Sequence, residues 1–204
     1  ISEATGAAGY DRFARFTRTV TRGRIIADTL LYDDQVKVNG VWHYRVLLRA
    51  QVAMDIGEPD PAFRVTVTLD KPTYRHGEPV SLAVTTTRDC YITLLNLTPD
   101  DSLRVAVPNV YYPRARLDAG DTLLIPPPGA GWELPVYLSP GRDLEEQALL
   151  VIATRDDLPF AAPDAASREG LLAVSDALAA VGRWLVDIPA DRRTEDIAHF
   201  TVVR

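Results

Sequence analysis

The chain has 204 residues, 47% of them hydrophobic and 25% charged, with a formal net charge of −6. Such a length buries about 70% of the unfolded surface, enough for one large domain or one domain with a small neighbour, and the acidic balance argues against broad binding to a phosphate backbone, which is held by surplus Lys and Arg. One cysteine, Cys90, excludes an intrachain disulfide and any zinc site built on paired thiolates, and no apolar run approaches the roughly 20 residues of a membrane-spanning helix.

The sequence starts at Ile1 without methionine or an apolar leader, as expected of a processed protein or of a piece of a larger one. Phe13, Phe16 and Val20 share one face of a helix predicted from Gly9 to Thr21, while Arg12, Arg15, Arg18 and Arg22 form a basic stripe, read as a solvated face. Arg24 to Val38, interrupted at Asp33-Asp34, and Val41 to Met54 flank Asn39-Gly40, a strong hairpin signal because both central positions of a type I′ turn need positive φ. In the second strand Trp42, Tyr44, Val46 and Leu48 alternate with His43, Arg45, Leu47 and Arg49.

A helix and one hairpin bury little on their own. Phe13, Phe16, Trp42 and Tyr44 are therefore expected to pack on the rest of the chain or on a second copy of it, which would make a homo-oligomer through this N-terminal unit. The run Gly40-Val41-Trp42-His43-Tyr44-Arg45-Val46, leading into Arg49-Ala50-Gln51-Val52, resembles the N-terminal region of flagellar assembly protein T and related envelope lipoproteins, without the strands expected before the helix.

Gly57-Glu58-Pro59-Asp60-Pro61 has linker composition, so the predicted division is a helix-hairpin unit over 1–56, a linker over 57–62 and a β domain over 63–204. Strands are expected at Phe63–Leu69, Val80–Thr86, Cys90–Leu97, Leu103–Val107, Thr122–Ile125, Trp132–Leu138 and Ala148–Thr154, with Phe200–Val203 closing the sheet. Cys90–Leu97 is apolar on both faces, the mark of a central strand covered on both sides. Leu171, Val174, Leu178, Val181 and Leu185 predict one covering helix, capped by Asp164 or Ser167 and stopped by Gly182. Short antiparallel strands with turn residues between them indicate a mainly β fold, a β-sandwich with one C-terminal helix and a small αββ unit before it.

Tyr74 with Gly77-Glu78-Pro79-Val80, Arg88-Asp89 with Tyr91 and Leu94-Leu95, Val107-Pro108-Asn109, Leu117 with Ala119-Gly120, Ile125-Pro126, Pro140-Gly141 and Ile152-Ala153-Thr154 stand in characteristic order. Together they resemble the family catalogued as domain of unknown function 4384, over residues 63–204. Cys90 departs from the glycine usual before the tyrosine, and Pro99-Asp100-Asp101 from the usual glycine turn. The resemblance implies an immunoglobulin-like sandwich, often in bacterial envelope or secreted proteins, and implies no reaction. A periplasmic or envelope-associated binding or assembly module is the expectation that follows, with a regulatory accessory domain of a larger enzyme or signalling chain as the alternative.

Nothing in the sequence supplies a catalytic set. His76 and Cys90 flank a strand and its turn, which puts them roughly 25–30 Å apart. His43 and His199 lie in alternating strands without a metal-ligand spacing, and Asp33-Asp34, Asp100-Asp101 and Asp156-Asp157 read as turn residues, so neither metal nor cofactor is expected. A protein partner is expected instead, at the loops Pro108–Arg116 and Pro126–Trp132, where Asn109, Tyr111, Tyr112 and Trp132 are the candidate binding residues. The competing role for Tyr111 and Trp132 is to plug the ends of the core.

Overall fold

The computed structural model describes residues 23–39, 41–98, 102–160 and 171–204. The helix expected over residues 9–21, with Phe13 and Phe16, lies outside them, as do the candidate caps Asp164 and Ser167, the turn at Pro99-Asp100-Asp101 and the side chains of Trp42 and Tyr44.

The hairpin forms as the Asn-Gly signal requires: β1 (Gly23–Val38) pairs antiparallel with β2 (Val41–Met54), Val38 opposite Val41, and Asn39 has a φ of +50°. The break expected at Asp33-Asp34 is absent. Both residues stay in the ladder, opposite Val46 and Arg45, and the register shifts fall earlier, at Ile25/Ala27 and Leu30/Tyr32. Asp34 is provided with partners inside the strand, receiving the Tyr32 hydroxyl at 2.6 Å and Arg45 at 3.5 Å.

The rest of the described chain is built on two sheets. The smaller contains β3 (Val65–Leu69), β5 (Leu82–Thr86) and β9 (Thr122–Ile125) in the order β3-β5-β9. The larger runs β11-β7-β6-β10-β12-β4, using β4 (Thr73–Arg75), β6 (Cys90–Leu97), β7 (Ser102–Val107), β10 (Leu144–Thr154), β11 (Leu171–Ala173) and β12 (Arg193–Val203). β8 (Arg116–Leu117) adds to β6 beyond β7. The pairings are antiparallel except β4 beside β12.

Alternation along β10 divides the core. Leu149, Val151 and Ala153 join Val65 and Val67 of β3, Val84 of β5 and Ile125 of β9 in one buried cluster between the two sheets. Ala148, Leu150 and Ile152 point the other way, beneath Ala180, Val181 and Leu185 of the helix α1 (Val174–Val186). Side chains of successive strand residues project to opposite faces, so a strand apolar at both sets of positions belongs between two layers. β6 obeys the same rule: Ile92 and Leu94 face the small sheet, Leu95 and Leu97 the helix.

Beyond β12, which starts at Arg193 and not at the expected Phe200, and the unexpected short strands β4 and β8, two segments differ in kind from the sequence prediction. Trp132–Leu138 makes no strand; it runs extended beside residues 77–80, with Leu134, Val136 and Leu138 buried and one isolated bridge between Pro79 and Pro135. Val80 N donates to Leu134 O (2.9 Å), and Gly77 N to Val136 O (2.8 Å). Prolines on both sides remove the donors that a regular ladder needs, so the alternation was legible and the pairing was not. The helix begins at Val174, because Leu171–Ala173 pairs with Ser102–Arg104 of β7, and it continues through Gly182 to Val186. A helical glycine costs about 1 kcal/mol relative to Ala, which the burial of Val181 and Leu185 on either side offsets.

Several polar contacts among the described side chains connect the ribbon to the body. Arg24 pairs with Glu195 and lies 3.7 Å from Asp55; Arg193, 7% exposed, reaches the same Asp55 oxygen at 2.6 Å and donates to Ile188 O at 3.0 Å. Arg183 on α1 donates to Ile26 O (2.8 Å), and Ala190 N to Ile56 O (2.7 Å). Removing one partner of a buried ion pair typically costs more than the pair itself contributes. Arg193→Met is therefore expected to lower stability by about 3 kcal/mol and to speed amide exchange in β1 and β2 before the rest of the chain, measured by denaturant unfolding and hydrogen-exchange mass spectrometry.

Candidate functional site

The loop carrying three of the four candidate residues is an excursion from one sheet edge. β7 pairs with β6 from Leu97 back to Leu94, and β8 resumes on the same edge opposite Tyr91 and Cys90. Residues 108–115 bulge out between them and return where Ile92 N donates to Ala115 O at 2.8 Å.

Asn109 organises the turn. Its Oδ1 accepts from Tyr111 N (2.9 Å) and Tyr112 N (2.7 Å), its Nδ2 donates to Ala106 O (2.8 Å), and its backbone exchanges two further hydrogen bonds with Tyr112. Both ends of the amide are thus engaged within the loop, so Asn109 positions its neighbours. The turn sends successive tyrosines in opposite directions. Tyr112 is half-buried against the cluster between the sheets, where burial pushes its phenol up from the usual range. Tyr111 is 70% exposed and Val110 88%. Trp132, after Pro126-Pro127-Pro128-Gly129, is half-buried against the same cluster as Tyr112. The four residues therefore separate into a positioner, two plugs and one outward aromatic. Val110, which sequence reasoning passed over, is the most exposed large hydrophobic at this edge; its place between a turn-forming Asn and two tyrosines was the signal.

The Tyr74–Val80 motif is a structural lock. Tyr74, 1% exposed, packs edge-on against Phe200 at 5.4 Å and donates its hydroxyl to Asp70 (2.6 Å), which also accepts Ser81 N (3.0 Å). Burial, reinforced by Asp70, holds that phenol far above its ordinary range. Gly77 turns the chain at a φ of +80°, Glu78 accepts Arg75 N (2.6 Å), and Lys71 binds the other Glu78 oxygen. At the same end of the inter-sheet core, buried Gln147 donates to Tyr137 O (2.7 Å) and to Glu145 (3.0 Å), and Glu145 accepts Ser139 N (2.9 Å), fixing the strandless segment to β10.

Cys90 is 1% exposed, and burial, opposed by a hydrogen bond from Thr86, pushes its thiol up. It lies near the Tyr91–Thr154 end of the sheet, whereas His76 N bonds Val203 O at the Leu144 end, an eleven-residue strand away, or roughly 30 Å. The His76 ring accepts Leu138 N at 3.1 Å. Asp156 is held by Arg192 (2.6 and 2.5 Å) and Asp157 by Arg114 (2.5 Å), so this acidic pair meets arginines. Among the described residues no group of three or more His, Cys, Asp or Glu side chains is placed to hold a metal, and no helix is long and apolar enough to cross a membrane.

These features define a mainly β protein in which two sheets share a core and one helix covers the outer face of the larger. Residues 73–156, about two fifths of the chain, match the family described as Domain of unknown function (DUF4384). The matched segment runs from β4 through β10 and contains the Tyr74 motif, the Asn109 loop and Trp132; the ribbon, α1 and β12 lie outside it. No curated protein matches the chain.

Two outcomes follow from this geometry. Trp132→Ala and Tyr112→Ala should each lose about 2 kcal/mol, a fall of roughly 4–8 °C in Tm, whereas Tyr111→Ala should stay within about 0.5 kcal/mol of wild type in the same calorimetric scan. Lys71 and the Arg75 N–H lower the pKa of Glu78, so its folded value lies below its unfolded one. Its contribution is present above the ordinary Glu value of about 4.3 and is lost as pH falls through the folded value. Glu78→Gln should therefore melt below wild type at neutral pH and converge with it in acid, measured as Tm against pH.

Proposed function

We propose that this chain is a non-catalytic binding or assembly module of a bacterial envelope or secreted protein, in which an immunoglobulin-like sandwich presents the loop between β7 and β8 to a protein partner. One observation carries this reading: Val110 and Tyr111 stand exposed on a turn that the Asn109 side chain holds in a single shape. A surface tyrosine on a preorganised loop contributes contact area and a polar hydroxyl at low entropic cost on binding. The envelope location rests on the family resemblance, which the DUF4384 match over residues 73–156 supports at the level of family.

A photo-crosslinking residue placed at 111 in the native host provides the test. It should trap a defined protein adduct that is absent when the same residue is placed at Arg64, exposed just before β3, and that is lost from the position-111 protein when Val110→Asp is added. No adduct at 111, or the same adducts at both positions, would remove the loop from the binding surface.

A further inference from the structure

The ribbon carries an uncovered face that the loop reading does not use. Directly opposed residues of an antiparallel pair share a face, and the register stacks Tyr32 with Leu47, Asp34 with Arg45, Val36 with His43 and Val38 with Val41. The Tyr32–Asp34 hydrogen bond and the Asp34–Arg45 ion pair place the first two rungs on the same side. Tyr32, Leu47, Val38 and Val41 are large apolar side chains left exposed along it. The face is therefore apolar above and below one rung of opposite charge.

We propose that this face is a two-fold contact surface for a second copy of the chain. Charge selects the geometry. A two-fold axis along the ribbon lays β1 of each copy over β2 of the other, so Asp34 meets Arg45, Tyr32 meets Leu47 and Val38 meets Val41 across the interface. An axis across the strands would set Asp34 on Asp34 and Arg45 on Arg45, and like charges in contact oppose it. Arg45 and Asp34 give the face one positive and one negative charge in a single rung, so it favours neither a strongly acidic nor a strongly basic partner, and that charged rung disfavours hydrocarbon. A single ribbon face is small beside the roughly 1,200–2,000 Å² of stable interfaces, so the dimer is a weak, concentration-dependent one.

Sedimentation velocity on the full chain, from micromolar to millimolar, tests this. The weight-average mass should climb from monomer toward dimer with concentration. Leu47→Glu and Arg45→Asp should each weaken association by about tenfold or more, with melting unchanged because both side chains are exposed. The double exchange Asp34→Arg with Arg45→Asp should restore it, which a merely structural pair would not do for association. Should Leu47→Glu unfold the ribbon, the charge exchange still decides the matter. A monomer throughout, a dimer indifferent to these changes, or flotation with anionic phospholipid vesicles that is lost in Leu47→Glu would each overturn the proposal.

Discussion

β10 is the constraint on which the remaining structure depends. It pairs along its whole length with β12 and over seven residues with β6, and from Gln147 to Thr154 every side chain is buried. A strand hydrogen-bonded on both edges and covered on both faces leaves its neighbours little freedom, because a slip of one residue would exchange Leu149, Val151 and Ala153 for Ala148, Leu150 and Ile152 and mismatch both layers at once. The small sheet and α1 are in this sense two covers for one ladder.

Much of that arrangement is readable in the sequence, because the periodicities that betray strands are the ones that the core enforces. β3 and β5 alternate cleanly since one face meets water, and the doubly apolar run of β6 announces its central place. Elements whose structure is decided by distant partners stay illegible. Leu171–Ala173 belongs by periodicity to the helix, yet the open edge of β7 claims its backbone. Trp132–Leu138 has strand alternation, but facing prolines deny it a ladder, and buried Gln147 and Glu145 supply the anchoring instead.

The candidate site divides along similar lines. Aromatic residues beside a strand stop are visible in the sequence; which tyrosine turns inward is not, because that depends on how one asparagine folds its own loop. Asn109 looks like a ligand-binding amide until its bonds are followed to Ala106, Tyr111 and Tyr112. Tyr74 and Glu78 likewise stand in a recognisable motif whose reason emerges only in three dimensions, where each supplies the partner that a turn and a sheet edge lack.

The position of β12 bears on how the chain is made. It lies between β10 and the short parallel strand β4, so residues 73–75 owe their strand pairing to residues 201–203. During vectorial synthesis β6, β7 and β10 can assemble as soon as they emerge, but one edge of β10 stays bare until β12 has left the ribosome. An edge so apolar on both sides is a template for pairing with another nascent chain. A cell making this protein therefore has reason to shield that edge, since the contact between β4 and β12 joins the most distant parts of the described chain and such non-local pairings are the kind that form slowly.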